Sequence, residues 1–480
     1  MEPKHAQGKD LRSFLKILDV RWPGEVLRVD TQGKAFDLAD CDAAAFLAKL
    51  KASGKRPATL FRGFKTLSGK AWPGELLFSE LSTLRKQAAA MDLDGAVKFQ
   101  ELAQEFSRRN RLTQKPVQIP SSDAPVKRIV ETGAKLSLFD LPVYRKDEFD
   151  AKPGWLCAIG VGKEPDSGRY NLSWHRLHVH APDYASVRIN PRHLMEYMNR
   201  CRAKGFDRMP VAFALGHHPA FEVAAGSNCA WGVDEYEFAG GLMDCPVRVT
   251  ESESLGKDFL IPADAEIVVE GMVDLTKKEI CGPWADVMRY YSPQTLEPLF
   301  TPTAFLMREN PICIGNWTGH DTYGILGAAS YVYSVLKERY PRVMAVNQVC
   351  PYTYIIQFKP RVPGESTRLA LMALGSFADR IKNVILVDDD IDPFDLGMVM
   401  FAISTRTDAD SAQVQIVRDL QANRQDPSTE RYMRVGGLII DATKPVGKPF
   451  PDIGKPPDSG VARIRLEDFV SAAELGKLAG

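Results

Sequence analysis

The stretch Asn171-Leu-Ser-Trp-His-Arg176 lies in a region whose composition otherwise indicates β-structure. Together with His193 and Glu235, it gathers an amide, a hydroxyl, imidazoles, a guanidinium and a carboxylate. An amide oxygen, an imidazole and a carboxylate can ligate a divalent metal, and phosphate oxygens can complete its shell. Arg176 would remain in the pocket as a fixed, bidentate cation. The stretch therefore predicts a site for a phosphate-bearing cofactor held through a metal.

Short β-branched runs separated by Gly, Pro and Asp surround this stretch, from residue 126 to about residue 316. Such runs predict a β-barrel or sandwich that carries a few helices, one of them over 191–201. Pro191 in the first turn of that helix would place His193 near its N-terminus. We therefore predict a cofactor-binding domain over 121–325.

The segment before the barrel is predicted to be an N-terminal α/β domain over 1–120. Its apolar periodicity indicates alternating helices and strands, over 11–18, 25–29, 42–51 and 58–61. A charged stretch over 76–111 is predicted to be helical. The Pro- and Ser-rich residues 116–125 are typical of a linker.

The segment after the barrel, 326–480, is predicted to be a C-terminal α/β domain. Asn383-Val-Ile-Leu-Val-Asp388 is typical of a buried parallel strand that ends in acidic residues. Residues 444–458 are Pro-rich and predicted to be extended. A last helix is predicted over 466–478, and such a helix on a Pro-rich arm is expected to dock on a neighbouring subunit.

The overall composition indicates which partners and which cellular compartment to expect. The 480 residues are 45% hydrophobic and 25% charged, and 61 Lys and Arg balance 61 Asp and Glu. We therefore expect no nucleic-acid or membrane partner. Neither a secretory signal nor an apolar run long enough to span a bilayer is visible. The eight cysteines are scattered without a CxxC pair, which favours a reducing cytosol over a zinc cluster or a disulfide framework.

The ordered motifs of the chain resemble those of UbiD-type decarboxylases, the family that uses prenylated flavin mononucleotide (FMN). The resemblance extends from about Leu11 to Pro445. The motifs that carry it are Thr132-Gly-Ala-Lys-Leu-Ser-Leu-Phe-Asp-Leu-Pro142, Asn171-x-Ser173-x-x-Arg176, Glu235-Tyr-Glu-Phe-Ala-Gly240, Pro262 to Gly271, Gly282-Pro-Trp-Ala-Asp286, Asp390-Ile-Asp-Pro-Phe-Asp395 and Thr405-Arg406. It implies a central split β-barrel flanked by two α/β domains.

The resemblance also implies a set of site residues. Asn171, His193 and Glu235 match ligands of a divalent metal on the cofactor phosphate, usually manganese, with magnesium as the other option and potassium beside it. The implied cofactor contacts are Ser173, Trp174, His175, Arg176, Arg192, His193 and Glu235. For His175 the strand alternation leaves a second interpretation open, that of a packed polar residue. The small residues 224–229 match a segment that lies against the flavin.

The catalytic motif departs from the family pattern. Arg176 matches the catalytic arginine, which the family usually holds between two glutamates. Here a gapless match puts Cys281 and Asp286 at those positions, and Glu279 substitutes for Cys281 only if the loop bulges by two residues. Cys281 would remove one negative charge, whereas Asp286 would still deliver a proton and leave more room. Catalytic candidates are thus Arg176, Asp286 and Cys281, and Trp174 and Trp284 are either an apolar wall or core.

These features predict reversible, non-oxidative decarboxylation of an aromatic or heteroaromatic acid, hydroxylated or not. A flavin prenyltransferase would supply the cofactor, and a homodimer or higher homo-oligomer is expected. Two alternatives stay open. One is a flavin-dependent oxidoreductase on a similar barrel, although no GxGxxG follows a strand. The other is a non-catalytic member that binds cofactor or assembles with a partner, which the loss of the first glutamate allows.

Overall fold

The computed structural model of the protein describes residues 8–94, 97–227, 229–319, 325–423, 425–429, 434–454 and 456–475. Its helices are α1 Leu11–Arg21, α2 Asp42–Ala52, α3 Leu84–Ala90, α4 Phe99–Arg109, α5 His193–Ala203, α6 Pro219–Gly226, α7 Glu235–Met243, α8 Ser330–Arg339, α9 Glu365–Ser376, α10 Leu396–Arg406, α11 Asp458–Arg463 and α12 Ala472–Leu475. Its strands are β1 Val26–Asp30, β2 Ala58–Arg62, β3 Glu75–Phe78, β4 Val117–Gln118, β5 Ile129–Thr132, β6 Gly154–Lys163, β7 Tyr170–Ala181, β8 Tyr184–Arg188, β9 Arg208–Leu215, β10 Arg248–Glu251, β11 Leu260–Pro262, β12 Ile267–Cys281, β13 Trp284–Ala285, β14 Tyr291–Ser292, β15 Thr295–Met307, β16 Ile312–Ile314, β17 Val343–Cys350, β18 Tyr352–Phe358, β19 Ile381–Val387, β20 Val414–Gln421 and β21 Arg434–Ala442.

The N-terminal segment forms a sheet in the order β1-β2-β3-β16. The prediction of continuous helix over 76–111 is wrong, because this range holds β3, α3 and α4. Leu76, Leu77 and Phe78 are all buried, so both faces of β3 are covered, and a short apolar run of this kind suits a strand. Since β16 follows the barrel in sequence yet joins this sheet, the segments are interleaved. The predicted domain boundaries stay predictions.

The central segment is a closed barrel of six strands in the order β12-β9-β6-β7-β8-β15, which the pairing of β15 with β12 completes. Strand β5 adds to the outside of β15. The predicted fold class, a mixed α/β protein around a barrel, is confirmed. Strand β7 carries the stretch from Asn171 to Arg176 and is paired on both sides, so its side chains have a fixed register.

Glycine in β6 makes room for the side chains of β7. Gly160 lies opposite Ser173, and a Cβ atom there would come within 2.7 Å of the His175 ring and 3.2 Å of Phe213. Gly162 lies opposite Asn171, where a Cβ atom would meet Leu194 at 2.4 Å. Gly160 therefore leaves room for the His175 ring of β7, and Gly162 leaves room for Leu194 of α5.

The C-terminal segment is a five-stranded sheet in the order β17-β18-β19-β21-β20, with α8 and α9 packed on one apolar face and α10 on the other. Strands β18, β19 and β21 are parallel, so the expected buried parallel strand is present as β19. The acidic residues that follow β19 include Asp388, which is buried and bonded to Arg406 of α10.

The end of the chain differs from the single helix predicted over 466–478. A short 3₁₀ turn covers 466–468, α12 covers 472–475, and residues 476–478 lie outside the described part. Ser471 and Glu474 bond each other reciprocally, which is the pattern that starts a new helix. In the described residues, no helix has both the length and the apolar character needed to cross a bilayer.

Candidate active site

Asn171, His193 and Glu235 come together although 64 residues separate the first from the last. Asn171 Nδ2 donates to Glu235 Oε1 at 2.8 Å, and His193 Nδ1 lies 2.8 Å from the same oxygen. Glu235 Oε2 accepts from the Leu172 N–H, also at 2.8 Å. The buried carboxylate of Glu235 is thus the point on which the other two predicted ligands converge.

Two helix starts bring these side chains to β7. Glu235 is the first residue of α7, and its neighbour Asp234 caps that helix and also accepts from the Tyr170 N–H at 2.8 Å. His193 is the first residue of α5, so the helix predicted over 191–201 begins two residues later than expected. The backbone of Arg192 is extended and ends the preceding loop, which leaves Pro191 outside the helix.

The donor set is chemically suited to a hard divalent cation. An amide oxygen, an imidazole and a carboxylate favour manganese or magnesium. Across the described ranges, no group of three or more His, Cys, Asp or Glu side chains could hold a metal. A mixed set that includes an asparagine therefore fits the chain better than a zinc-type cluster.

Ser173 and His175 extend the polar chain from Asn171 into the barrel. Ser173 Oγ lies 2.9 Å from Asn171 Oδ1 and 2.7 Å from His175 Nε2, while His175 Nδ1 lies 3.0 Å from the Arg188 carbonyl. Burial lowers the pKa of His175 to about 4, so the ring is neutral near pH 7. His175 is packed in the barrel and also lies on the cavity wall, so both interpretations of it stay open.

The protons available along the hydrogen bonds from Arg188 to Asn171 indicate whether the site suits a cation. The Arg188 carbonyl only accepts, so the neutral His175 carries its proton on Nδ1, and Nε2 accepts from Ser173. Ser173 has one proton, so towards Asn171 it can only accept. A half-turn of the Asn171 amide would satisfy Ser173 and would turn the amide oxygen towards Glu235, in place of the present bond from Nδ2. A cation would be well held between those two oxygens, so the residues fit a metal.

Arg176 and Asp286 form a buried ion pair. Arg176 and Gln425 Nε2 both donate to Asp286 Oδ2, which Ser292 Oγ also approaches at 3.3 Å, and the Val287 N–H donates to Oδ1 at 2.8 Å. Burial alone would raise the pKa of Asp286, but the charge and hydrogen bond of Arg176 hold it below its usual value. Asp286 is therefore an ionised carboxylate in this arrangement.

Cys281 is buried at the end of β12 and does not line the cavity that Arg176 and Asp286 face. Burial raises the pKa of its thiol in spite of the Arg176 charge, so Cys281 adds no negative charge to the site. The pairing of Glu279, Ile280 and Cys281 with β15 is uninterrupted. The register of β12 against β15 shifts upstream, between Val273 and Lys278, so the alternative that Glu279 takes the position of Cys281 stays open.

A second arginine and carboxylate lie beside the first pair. Arg188 is the cross-strand neighbour of Arg176, and it bonds Glu297 at 3.0 Å with both side chains buried. Glu297 also accepts from Thr295, the residue that pairs with Cys281. Neither Arg188 nor Glu297 was predicted. Pairing β7 and β8 as a hairpin would have placed Arg188 opposite Arg176, but nothing in the sequence indicates Glu297.

Arg176, Arg188 and Asp286 line a cavity of about 380 Å³. The predicted metal ligands Asn171, His193 and Glu235 are not part of its wall. Its wall comes from all three segments of the chain: Ser79 and Gln87 from the first, Trp174, Arg176 and Trp284 from the barrel, and Arg380 and Gln425 from the last. Trp174 and Trp284 line the cavity, which agrees with the interpretation that they form an apolar wall. Trp284 also packs on Trp155, with ring centroids 4.9 Å apart, so it is core as well.

Glu222 on α6 is a further unpredicted residue of the wall. It is buried, and its Oε2 atom has no hydrogen-bond partner among the residues that the structure describes. Burial, with the nearby charge of Glu80, raises the pKa of Glu222 well above its ordinary value. Gly226, at the end of the same helix, lies against the Trp174 ring. Gly226 belongs to the predicted small-residue segment 224–229, within which residue 228 lies outside the described part.

Most of the chain is similar to known protein families and proteins. Residues 117–321 match the family model described as the UbiD 3-octaprenyl-4-hydroxybenzoate carboxy-lyase Rift-related domain, and residues 323–442 match the corresponding C-terminal domain. A phenolic acid decarboxylase from Bacillus subtilis is 28% identical over 458 residues, which cover 91% of this chain and 93% of that one.

Two solved structures are similar over nearly the whole chain. The UbiD-class enzyme HmfF from Pelotomaculum thermopropionicum, in complex with FMN, has a TM-score of 0.81 at 27% identity and covers 96% of this chain and 100% of its own. The vanillic acid decarboxylase of Sedimentibacter hydroxybenzoicus in its open form has a TM-score of 0.81 at 27% identity, with 98% and 100% covered.

Proposed function

Because the chain belongs to the UbiD family of carboxy-lyases, we propose that it decarboxylates an aromatic or heteroaromatic carboxylic acid, reversibly and without net oxidation. The observation that carries this proposal is the Arg176–Asp286 pair on the wall of a cavity. Ser173 and His175 connect that wall by hydrogen bonds to the convergent Asn171, His193 and Glu235. The three convergent residues suit a phosphate-bearing cofactor, and the Arg176–Asp286 pair suits a carboxylate substrate.

Prenylated FMN is the cofactor that we propose. An evolved dimeric form of HmfF has been solved in complex with prenylated FMN, and this chain is 25% identical to it with a TM-score of 0.80. Asn171, His193 and Glu235 would hold the phosphate through manganese or magnesium, with potassium beside it. Ser173, Trp174, His175 and Arg192 would contact the cofactor, and a flavin prenyltransferase would supply it.

When bound, the prenylated flavin would supply an electron sink for the carbon that loses carbon dioxide. The protein would supply orientation and a proton. Arg176 is the residue proposed to hold the substrate carboxylate by charge-assisted hydrogen bonds. The two tryptophans of the cavity wall, Trp174 and Trp284, would face an aromatic ring.

Asp286 is proposed to move the proton. In the free site it is ionised because Arg176 opposes the effect of burial. A substrate carboxylate that takes up the Arg176 donors would weaken this opposition, and burial would then raise the pKa of Asp286. The carboxyl could take a proton and pass it to the carbon left by carbon dioxide. Cys281 would serve mainly to leave space, since its thiol stays protonated.

We also propose a homodimer or larger homo-oligomer in a reducing cytosol. The C-terminal arm carries exposed apolar side chains, namely Val461, Ile464, Leu466 and Phe469. In the described part of the chain these side chains find no apolar cover of their own. Such a patch is typical of a surface that another subunit covers.

The test uses the chain co-expressed with a flavin prenyltransferase. Mass spectrometry and the ultraviolet–visible spectrum identify the bound flavin, and a panel of aromatic acids is screened for carbon dioxide release. We expect the wild type to bind prenylated FMN and to turn over. Arg176→Ala should lose turnover but keep the spectrum of the bound cofactor. Arg361→Ala, an exposed arginine, serves as the matched control. Ordinary FMN with nicotinamide-dependent turnover would favour an oxidoreductase, and bound cofactor without any turnover would favour a non-catalytic member.

A further inference from the structure

Trp231 is a large side chain that the function proposed above leaves without a role. It lies between α6 and α7, four residues before Glu235, and 50% of its surface is exposed. Two other residues of the same loop, Cys229 and Val233, pack against a buried apolar core, whereas the Trp231 ring lies on α5. Packing in the core therefore does not account for its position.

The Trp231 ring contacts three side chains that form one stripe along α5. His193, Tyr197 and Arg200 are spaced by four and then three residues, which places them on one face of the helix. The ring centroids of His193 and Trp231 are 5.1 Å apart with 78° between the ring planes, an edge-to-face pair. The Tyr197 centroid lies at 6.1 Å, and the guanidinium carbon of Arg200 lies over the ring at 5.1 Å. Trp231 therefore connects the loop that precedes Glu235 to the helix that begins with His193.

Two carboxylates hold Arg200 over the Trp231 ring. The Nη1 atom of Arg200 donates to Glu164 Oε1 at 3.0 Å, and its Nε atom donates to Glu196 Oε1 at 3.2 Å. Glu164 is buried and follows β6 directly, so the guanidinium is anchored to the barrel. A cation within about 6 Å of an indole centroid is attracted to the ring. The Trp231 ring is therefore held in place on α5 although half of it is exposed.

The hydrogen bonds of the His193 ring do not fix its orientation independently of Glu235. Among the described residues, this ring is hydrogen-bonded only to Glu235, with Nδ1 and Oε1 2.8 Å apart. The last side-chain torsion of a histidine has broad energy wells, so one hydrogen bond restricts the ring little. In most metal sites, a hydrogen bond from the second ring nitrogen to a protein group orients a ligating imidazole. Here Glu235 is itself a proposed ligand, so another contact has to orient the ring.

We propose that Trp231 is a positioning residue for the metal site, because its ring holds the His193 imidazole in the orientation that reaches the same cation as Glu235. This inference rests on the metal ligands of the proposed function. The edge-to-face contact restricts rotation of the imidazole, while Tyr197 and Arg200 keep the indole in place. Trp231 does not line the substrate cavity, so its role concerns retention of the metal and not the choice of acid.

The test measures Mn²⁺ binding to protein that was co-expressed with a flavin prenyltransferase and dialysed against a chelator, so it does not depend on turnover. The electron paramagnetic resonance signal of free Mn²⁺ gives the dissociation constant, and the coupling of bound Mn²⁺ to nitrogen reports the imidazole ligand. In Trp231→Ala we expect the dissociation constant to rise by at least about tenfold, as for loss of an orienting partner, and the nitrogen coupling to weaken. Trp231→Phe keeps an aromatic ring on α5 and should stay within about threefold of the wild type.

The matched control is Phe206→Ala, which removes an exposed aromatic side chain beyond the other end of α5 and should change neither quantity. Trp231→Leu keeps an apolar side chain that is too short to reach His193, and it should bind Mn²⁺ as weakly as Trp231→Ala. This second variant decides the matter if Trp231→Ala does not fold.

Two results would overturn the role of Trp231. They are wild-type affinity for Mn²⁺ in Trp231→Ala or Trp231→Leu, and weaker binding with an unchanged nitrogen coupling. A wild type that binds Mn²⁺ without turnover would reject only the proposed decarboxylation. A wild type that binds no Mn²⁺ would reject the ligand assignment and the role of Trp231 together.

Discussion

Replacement of Asp286 by asparagine tests the central ion pair of the site. The change is nearly isosteric, yet Asp286 accepts from four donors, three of them on Oδ2. An asparagine has only one acceptor oxygen. Whichever way its amide points, an NH₂ group faces at least one donor, and Arg176 loses its counter-charge in a site where only 13% of its side chain is exposed.

The expected losses of stability and of activity follow from these missing partners. Breaking a buried ion pair by removing one charge costs about 3–5 kcal/mol, and the retained oxygen recovers part of it, so we expect about 2–4 kcal/mol of destabilisation near pH 7. Decarboxylation should fall by about 10²-fold or more, as for loss of a general acid. The matched control is Asp264→Asn, which removes a buried carboxylate that pairs with the half-buried Arg248 away from the cavity.

The lowered pKa of Asp286 fixes the direction in which its contribution to stability changes with pH. The pKa of Asp286 is lowered on folding, so its contribution to stability is present above the unfolded pKa near 3.8 and is lost as pH falls through the folded value. The difference in unfolding free energy between wild type and Asp286→Asn should therefore be constant near neutral pH and shrink below about pH 4. Denaturant unfolding at several pH values measures it. A difference that persists unchanged at pH 3, or equal loss of turnover in Asp264→Asn, would refute the reasoning.

Three further changes test other parts of the site. Glu235→Gln should lower metal and flavin retention several-fold by mass spectrometry, and unchanged occupancy would contradict its role as a ligand. Cys281→Ser should keep kcat within about threefold, because the thiol is protonated and away from the wall, whereas a loss above about 10²-fold would give Cys281 a chemical role. Gly160→Ala should cost about 1–3 kcal/mol by denaturant unfolding, since its Cβ would come within 2.7 Å of His175. A Gly160→Ala variant as stable as wild type would show that the ring moves without cost.

Local patterns in the sequence were enough to find the barrel and the core of the candidate site. Strand alternation and the motif from Asn171 to Arg176 are properties of adjacent residues, and β7 keeps them in register. The resemblance led us to expect Asn171, His193 and Glu235 in one site; their side chains meet at Glu235, and their role as ligands stays a prediction. Where helix and strand signals are both short, as over β3, the sequence could not decide, because burial on both faces depends on the partner β16.

Tertiary structure alone decided which further groups face the cavity or pair with a residue of its wall. Arg188 depends on the pairing of β8 with β7, Glu297 on the return of β15, and Gln425 on a loop 139 residues beyond Asp286. Whether Cys281 carries charge also depends on its burial rather than on its position in the motif. Residue types and short spacings are encoded locally, whereas the pKa of a carboxyl and the partners of a guanidinium depend on desolvation and on charges brought from distant parts of the chain.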